Sequence, residues 1–76
     1  MPRITPISRK RYEQFLRFIG CTLKRQKGDH LIYVRSDLSR PVVFPYDKEI
    51  PAFIQRTNLR TLGITTDAYY KLLKNL

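Results

Sequence analysis

The chain has 76 residues, of which 42% are hydrophobic and 28% are charged, as is typical of a folded domain rather than of a disordered segment. Its length leaves room for one small domain, which would bury only about 60% of its unfolded surface. Fifteen Lys and Arg against six Asp and Glu give a net charge of +9, which favours a polyanion or an acidic protein as partner. Residues 1–40 hold ten of the basic and three of the acidic side chains, so the charge is concentrated there.

Several classes of protein are excluded at once. The longest apolar runs, Leu31–Val34 and Val42–Tyr46, are far shorter than the roughly 18 residues that span a bilayer, so no membrane contact is expected. The first seven residues lack the continuous apolar core of a signal peptide, which predicts a cytoplasmic protein. Cys21 is the only cysteine and His30 the only histidine, so neither an internal disulfide, a Cys/His zinc site nor another cofactor is expected.

The first predicted helix covers residues 9–19 and follows an extended lead over residues 1–7, where Pro2 and Pro6 disfavour helix. Ser8 stands where it can cap the helix, and the glycine at position 20 can end it. Four apolar residues recur at helical spacing and form one stripe: Tyr12, Phe15, Leu16 and Ile19.

The stretch 21–26 alternates with a period of two, which predicts a half-buried edge strand. In this pattern Cys21, Leu23 and Arg25 share one face, and the residues between them share the other. Cys21 is then a small core residue rather than a nucleophile.

A tight turn is expected at residues 27–29, with Gly28 supplying a positive φ. Residues 30–35 are rich in β-branched and aromatic side chains and form the clearest strand. A loop over residues 36–40 leads to a third strand at 41–46. Three strands with short connections predict an antiparallel meander.

Asp47–Ile50 is expected to be a loop, before a helix at about 51–62 that Gly63 ends. Thr65 can cap a last helix at 67–75. The apolar stripe of this last helix is Tyr69, Leu72, Leu73 and Leu76.

The order α-β-β-β-α predicts an α+β fold in which the helices pack on one face of a three-stranded antiparallel sheet. The second strand has apolar residues on both faces, Leu31 and Tyr33 on one, and Ile32 and Val34 on the other. Because the helices cover only one face, one of these apolar pairs is left on the other face, here called the open face, which is expected to bind a partner protein or a second copy.

His30 is the residue best suited to chemistry, because imidazole both donates and accepts protons near neutral pH. RNA carries its own nucleophile, the 2′-hydroxyl, so its cleavage needs a base and positive charge near the phosphate. The basic run 24–27 before His30 offers that charge. An ordinary histidine at a strand end fits the same sequence, since a single histidine carries no spacing information.

The other side chains with chemical potential are weaker candidates. No pair of acidic residues has the spacing of a metal site or a glycosidase. Among the tyrosines, Tyr33 and Tyr46 are the better candidates for stacking on bases, whereas Tyr12 and Tyr69 lie on helix stripes and are expected in the core.

The run from Lys27 to Arg35, with a glycine ending the helix before it, resembles the signature of the HicA family. These are small mRNA interferase toxins of bacterial and archaeal toxin–antitoxin pairs, with a Gly-Ser-His and a β run of the kind His-Ile-Tyr-Arg. Further matching pieces follow in the family's order: Val43-Phe44-Pro45, Glu49-Ile50-Pro51, residues 58–65 and the aromatic Tyr69. The resemblance covers residues 8–73 and implies one HicA-like domain over 1–76, with a fold like that of a double-stranded-RNA-binding domain.

The resemblance implies an endoribonuclease in which His30 is the catalytic residue and mRNA is the substrate. The residues expected to hold RNA are the basic ones around it and the turn glycine: Lys24, Arg25, Lys27, Gly28 and Arg35. It also implies an acidic HicB-like antitoxin that covers the His30 face, so that DNA is contacted only through the antitoxin.

Two positions depart from the family pattern. Asp29 stands where Ser is commoner, and Tyr46 and Asp47 stand where a second histidine is often found. Asp29 can orient His30 and favour its charged form, or it can repel phosphate, and the sequence leaves both open. Two other functions fit the same fold: an RNA-binding module without activity, and a module that only docks an antitoxin.

Overall fold

The computed structural model describes residues 3–76, so the first two residues of the lead expected at 1–7, including Pro2, lie outside the described residues. In chain order the elements are β1 (Ile7–Ser8), α1 (Arg9–Phe18), β2 (Thr22–Lys27), β3 (His30–Val34), β4 (Val42–Pro45), β5 (Glu49–Ile50), α2 (Ala52–Leu62) and α3 (Thr66–Lys74).

The main sheet has the order β2-β3-β4 and is antiparallel throughout, which confirms the predicted meander and the α+β order α-β-β-β-α. The expectation that residues 47–50 form only a loop is wrong, because β5 pairs with β1 in a second, two-stranded sheet. Ile7 stands opposite Ile50, and both side chains are buried. A strand of two residues is too short to show an alternating pattern in the sequence, so this pairing could not be predicted from periodicity.

α1 forms as its sequence predicts. The Ser8 hydroxyl accepts a hydrogen bond from the Arg11 N–H at 3.2 Å, which satisfies one of the free N–H groups of the first turn. Tyr12, Phe15 and Leu16 are buried. Gly20 follows the helix with a φ of 94°, a conformation that side chains rarely adopt.

The helices pack on one face of the sheet. Tyr12 of α1 meets Phe44 of β4 edge to face, with ring centroids 5.0 Å apart. Phe15 of α1 meets Tyr69 of α3 in the same manner at 4.8 Å. Each such pair adds about 0.5–1.5 kcal/mol to the effect of burial. Both predicted helix stripes therefore enter the same core.

α2 contributes polar side chains to this core. Gln55 accepts a hydrogen bond from the Tyr69 hydroxyl at 2.5 Å. Asn58 donates to the carbonyl of Val43 and to the Tyr12 hydroxyl, both at 3.2 Å. These two buried polar residues explain why the sequence of this helix is less periodic than that of the others, and Asn58 ties α2 to the outer side of β4.

β2 departs from its prediction. It is the edge strand, as expected, but all six of its residues are exposed rather than half-buried. The simple alternation is also wrong, because the register shifts between Leu23 and Arg25. Leu23 pairs with Tyr33 on the helix side of the sheet, whereas Arg25 pairs with Ile32 on the open face. The extra residue, Lys24, forms a β-bulge, and the bulge turns Arg25 to the open face.

Candidate active site

His30 is the first residue of β3 and directly follows the two-residue turn formed by Gly28 and Asp29. Gly28 has a φ of 61°, as predicted for this turn, and no atom lies within 4 Å of the place where its Cβ would be. Lys27 and His30 are register partners on either side of the turn. The side chains of such partners begin about 5 Å apart and lie on the same face.

The Asp29 carboxylate orients the ring of His30. Its Oδ1 lies 2.9 Å from Nδ1 of the imidazole. Since a carboxylate only accepts hydrogen bonds, Nδ1 carries the proton, and Nε2 of the neutral ring is left with its lone pair. The His30 side chain is 52% exposed. This geometry gives a base of defined tautomer at an accessible point of the surface.

Tyr46 lies beside this turn. Its half-exposed ring lies under the guanidinium of Arg9, whose Cζ is 4.1 Å from the ring centroid. Arg9 in turn donates to the Glu13 carboxylate at 2.6 Å. One face of the ring is thus covered by a cation, and Tyr46 remains a candidate for contact with a base.

Tyr33 is not available for stacking, contrary to expectation. Its ring is fully buried on the helix side of the sheet, and its hydroxyl donates to the Glu13 carboxylate at 2.5 Å. Burial, reinforced by the neighbouring carboxylate, raises the pKa of Tyr33 to about 12. Glu13 is itself only 8% exposed, which the charge pattern of α1 did not indicate.

The open face brings the site residues together. Its members stand in three cross-strand rows: Lys27, His30 and Pro45; Arg25, Ile32 and Val43; Thr22 and Val34. Ile32 and Val34 are half-buried and Val43 is exposed, so apolar side chains lie between the cations. His30, Lys27 and Arg25 therefore face the same solvent region.

A groove of about 250 Å³ continues this face toward the loop after β3. We call it the basic groove, because four cations line it over an apolar floor that includes Ile32: Lys24, Arg25, Arg35 and Arg40. Lys24, Arg25 and Arg40 are exposed. The sequence did not single out Arg40, since a loop residue carries no periodic signal.

The Arg35 guanidinium forms hydrogen bonds within the protein. Its Nε and one terminal nitrogen donate to the two oxygens of Asp37 at 2.6 and 3.1 Å, and the other nitrogen donates to the Ile19 carbonyl at 2.8 Å. The hydrogen bond from Arg35 lowers the pKa of the Asp37 carboxyl. Arg35 also approaches Gly20, where its Cδ is 3.4 Å from the place of a Cβ. Of the predicted phosphate ligands, Arg35 is the one whose guanidinium is already occupied.

Cys21 is buried, as expected for a small core residue. Burial raises the pKa of its thiol, so the reactive thiolate is disfavoured. Within residues 3–76 no three His, Cys, Asp or Glu side chains come together to hold a metal ion. No helix of this part of the chain is long and apolar enough to cross a membrane.

A family model described as the HicA toxin of bacterial toxin–antitoxin systems matches residues 9–64. Comparisons with curated proteins and with solved structures found no match. The matched region runs from α1 to the residue after Gly63 and contains the main sheet and His30. Because it spans well over half of the residues, the chain belongs to the HicA family of toxins.

Proposed function

We propose that this toxin is an endoribonuclease that cleaves mRNA with His30 as general acid and base. The proposal rests on the turn before β3, where Asp29 accepts a hydrogen bond from Nδ1 of His30 and Lys27 is the register partner of His30. An oriented imidazole with a Lys side chain on the same face can supply the proton transfer and the positive charge that RNA cleavage requires. Membership of a toxin family supports an activity that arrests growth.

In the proposed reaction, Nε2 of His30 removes the proton of a ribose 2′-hydroxyl, and the resulting oxygen attacks the adjacent phosphorus. A bond forms between phosphorus and this oxygen, while the bond to the 5′-oxygen of the next nucleotide breaks. That oxygen leaves with the electron pair and takes a proton from the imidazolium. The products are a 2′,3′-cyclic phosphate and a 5′-hydroxyl. Since DNA lacks the 2′-hydroxyl, the reaction is confined to RNA.

Positive charge stabilises the phosphorane as its negative charge develops. Lys27 is the register partner of His30, and Arg25 stands in the next row of the same face. Lys24, at the bulge, would hold the flanking backbone together with the turn at Gly28, where a phosphate can approach the main chain without meeting a side chain. Arg35 would contribute charge to the groove but not its hydrogen bonds, which Asp37 and Ile19 accept.

Of the two roles open to Asp29, the orienting role has the better support. Its carboxylate contacts Nδ1 rather than the free side of the ring, so it stabilises the imidazolium that forms during the reaction. The positive charge of Lys27, the register partner of His30, would offset its repulsion of phosphate. We therefore assign Asp29 as a positioning residue.

A toxin of this family has an antitoxin partner. We propose that an acidic HicB-like antitoxin covers the open face and that any contact with DNA is made by the antitoxin. The face offers apolar side chains, Ile32, Val34 and Val43, surrounded by Lys and Arg. A partner with an apolar centre and an acidic rim would complement both features.

The test compares the wild-type chain with His30→Gln and Lys27→Ala, and uses Lys71→Ala, at an exposed position of α3, as a matched loss of one charge. We expect His30→Gln to lower RNA cleavage by about 10²–10⁴-fold and to abolish toxicity, with the melting temperature little changed. Lys27→Ala should lower cleavage by a smaller factor, and Lys71→Ala should leave it unchanged. The RNA ends should carry a 2′,3′-cyclic phosphate.

A folded His30→Gln variant that remains fully toxic would remove the catalytic role. The chain would then be an RNA-binding or antitoxin-docking module. Loss of toxicity together with loss of the fold would instead assign His30 a structural role.

A further inference from the structure

Exposed cations continue from the open face around the loop after β3 and onto α2. The basic groove shares Ser39 and Arg40 with a second depression of about 350 Å³. That depression shares Arg60 with a third, of about 370 Å³, which also contains Arg56. None of the residues that line the three depressions is Asp or Glu. We call the cations along this path the basic track: Lys24, Arg25, Arg40, Arg60 and Arg56.

The middle depression is the most informative part of the track, because its lining is entirely polar: Ser39, Arg40, Thr57, Arg60 and Thr61. Protein-binding sites are organised around apolar or aromatic anchors, and this depression has none. Nucleic-acid backbones, in contrast, are held by Arg together with Ser and Thr hydroxyls. The composition thus favours phosphate groups over an acidic protein.

The distance of this depression from His30 can be estimated from the length of β3. β3 runs from His30 to Val34 at about 3.3 Å per residue, so the loop end of the open face is roughly 13 Å from His30. Arg40 lies beyond that end, and Arg60 lies on α2 beyond Arg40. An RNA strand that contacts both His30 and the Arg40–Arg60 depression must extend several nucleotides past the bond that is cleaved.

We infer that the basic track binds the backbone of the substrate RNA on one side of the cleaved bond, several nucleotides away from it. The inference rests on the proposed function and adds the path of the strand. The RNA strand passes Lys24 and Arg25 in the basic groove, turns at Arg40, and ends on Arg60 and Arg56 of α2. Single-stranded RNA follows this bend more readily than a stiff duplex does.

The binding test uses the His30→Gln background, so that the RNA stays intact, and a fluorescein-labelled single-stranded RNA of mixed sequence. Anisotropy titrations over a range of salt compare Arg40→Ala/Arg60→Ala with Lys71→Ala/Lys74→Ala, a pair of exposed α3 cations outside the track. Each lost phosphate contact lowers the salt slope by about 0.7, so the track pair should lower it by about 1.4 and the control pair should not.

The cleavage test uses chains that retain His30. In the wild type, kcat/KM should be larger for a long RNA than for a trinucleotide, and Arg40→Ala/Arg60→Ala should reduce that ratio. Arg40→Gln/Arg60→Gln, which removes the charge but keeps a polar side chain at each position, repeats both measurements if the alanine pair unfolds.

Equal salt slopes for the track pair and the control pair would overturn the inference, whether or not His30 cleaves RNA. The inference would also be wrong if Arg40→Ala/Arg60→Ala bound RNA normally but no longer bound the antitoxin, because the track would then be a protein-binding surface. Failure of the proposed function has a different signature, namely wild-type cleavage that survives His30→Gln while the binding results stand.

Discussion

The main-chain N–H of Tyr46 donates a hydrogen bond to the carbonyl of Asp29 at 2.6 Å. The residue that follows β4 therefore holds the turn that precedes His30, and the third strand helps to position the candidate catalytic side chain. His30 itself pairs with Pro45, the residue before Tyr46. The turn is thus braced by the β3–β4 pairing as well as by its own hairpin.

The role of this bond can be separated from that of the tyrosine ring. Tyr46→Ala removes the ring and its contact with Arg9 but keeps the N–H, whereas Tyr46→Pro removes both. A main-chain hydrogen bond contributes about 0.5–1.5 kcal/mol, so the Pro variant should cleave RNA several-fold less well than the Ala variant. The comparison is made on kcat, with circular dichroism as the check of the fold. Equal rates would mean that the bond does not position the turn.

Asp29→Asn separates the two roles considered for Asp29. The amide oxygen can still accept from Nδ1 of His30, but the charge that stabilises the imidazolium is lost. Neutral hydrogen bonds are weaker than charged ones by about 1 kcal/mol, so kcat should fall by about fivefold. RNA affinity should rise slightly, because one negative charge is removed from the site. If kcat rises with affinity, repulsion of phosphate dominates and the orienting role is wrong.

Arg35→Lys keeps the charge of the basic groove but cannot contact both Asp37 oxygens and the Ile19 carbonyl at once. We expect a loss of about 1 kcal/mol in unfolding free energy, or roughly 4–8 °C in Tm, with the salt dependence of RNA binding unchanged. Arg25→Lys, at an exposed position of the same groove, is the control and should leave Tm unchanged. A normal Tm with weakened RNA binding would return Arg35 to the role expected from the sequence.

Tyr33→Phe tests the buried hydrogen bond to Glu13. Removing the hydroxyl leaves the carboxylate with one donor fewer, which should cost about 1–3 kcal/mol in urea unfolding at neutral pH. The pKa of Tyr33 is raised from 10.0 to about 12, so its contribution to stability is fully present below pH 10 and is lost as the pH rises toward 12. The variant should therefore lose less stability than the wild type over that interval.

Tyr46→Phe is the matched control, because it removes a hydroxyl from a half-exposed tyrosine. It should unfold like the wild type at neutral pH. A Tyr33→Phe variant as stable as this control would show that Glu13 is satisfied without the tyrosine.

Much of the fold was predictable because its main elements repeat a pattern. The stripes of the first and last helices pack into or against the core, and Leu31 and Tyr33 of the run after His30 are buried in it. The pattern was weak at α2, where Gln55 and Asn58 take core positions by hydrogen bonding rather than by burial of apolar area. The alternating pattern of β2 gave a wrong prediction at Lys24, because this bulged residue places Arg25 on the opposite face of the sheet from the one expected.

The candidate site was predictable to the extent that it is local. His30, Lys27 and Gly28 belong to one hairpin, so the sequence places them together. The commitment of Arg35 to the Ile19 carbonyl needs the end of α1 to reach the loop after β3, and no local pattern records that contact. The approach of Arg40 to α2 is likewise a tertiary event.

The two edge strands of the main sheet, β2 and β4, differ in whether another strand can pair with them. The Val43 carbonyl on the outer side of β4 accepts from Asn58, whereas β2, within residues 3–76, has no strand on its other side. An added strand can therefore hydrogen-bond along β2, while α2 obstructs the β4 border. Two copies joined through β2 would present only obstructed borders outward. Growth by strand addition would then stop at a closed pair rather than continue into a fibre.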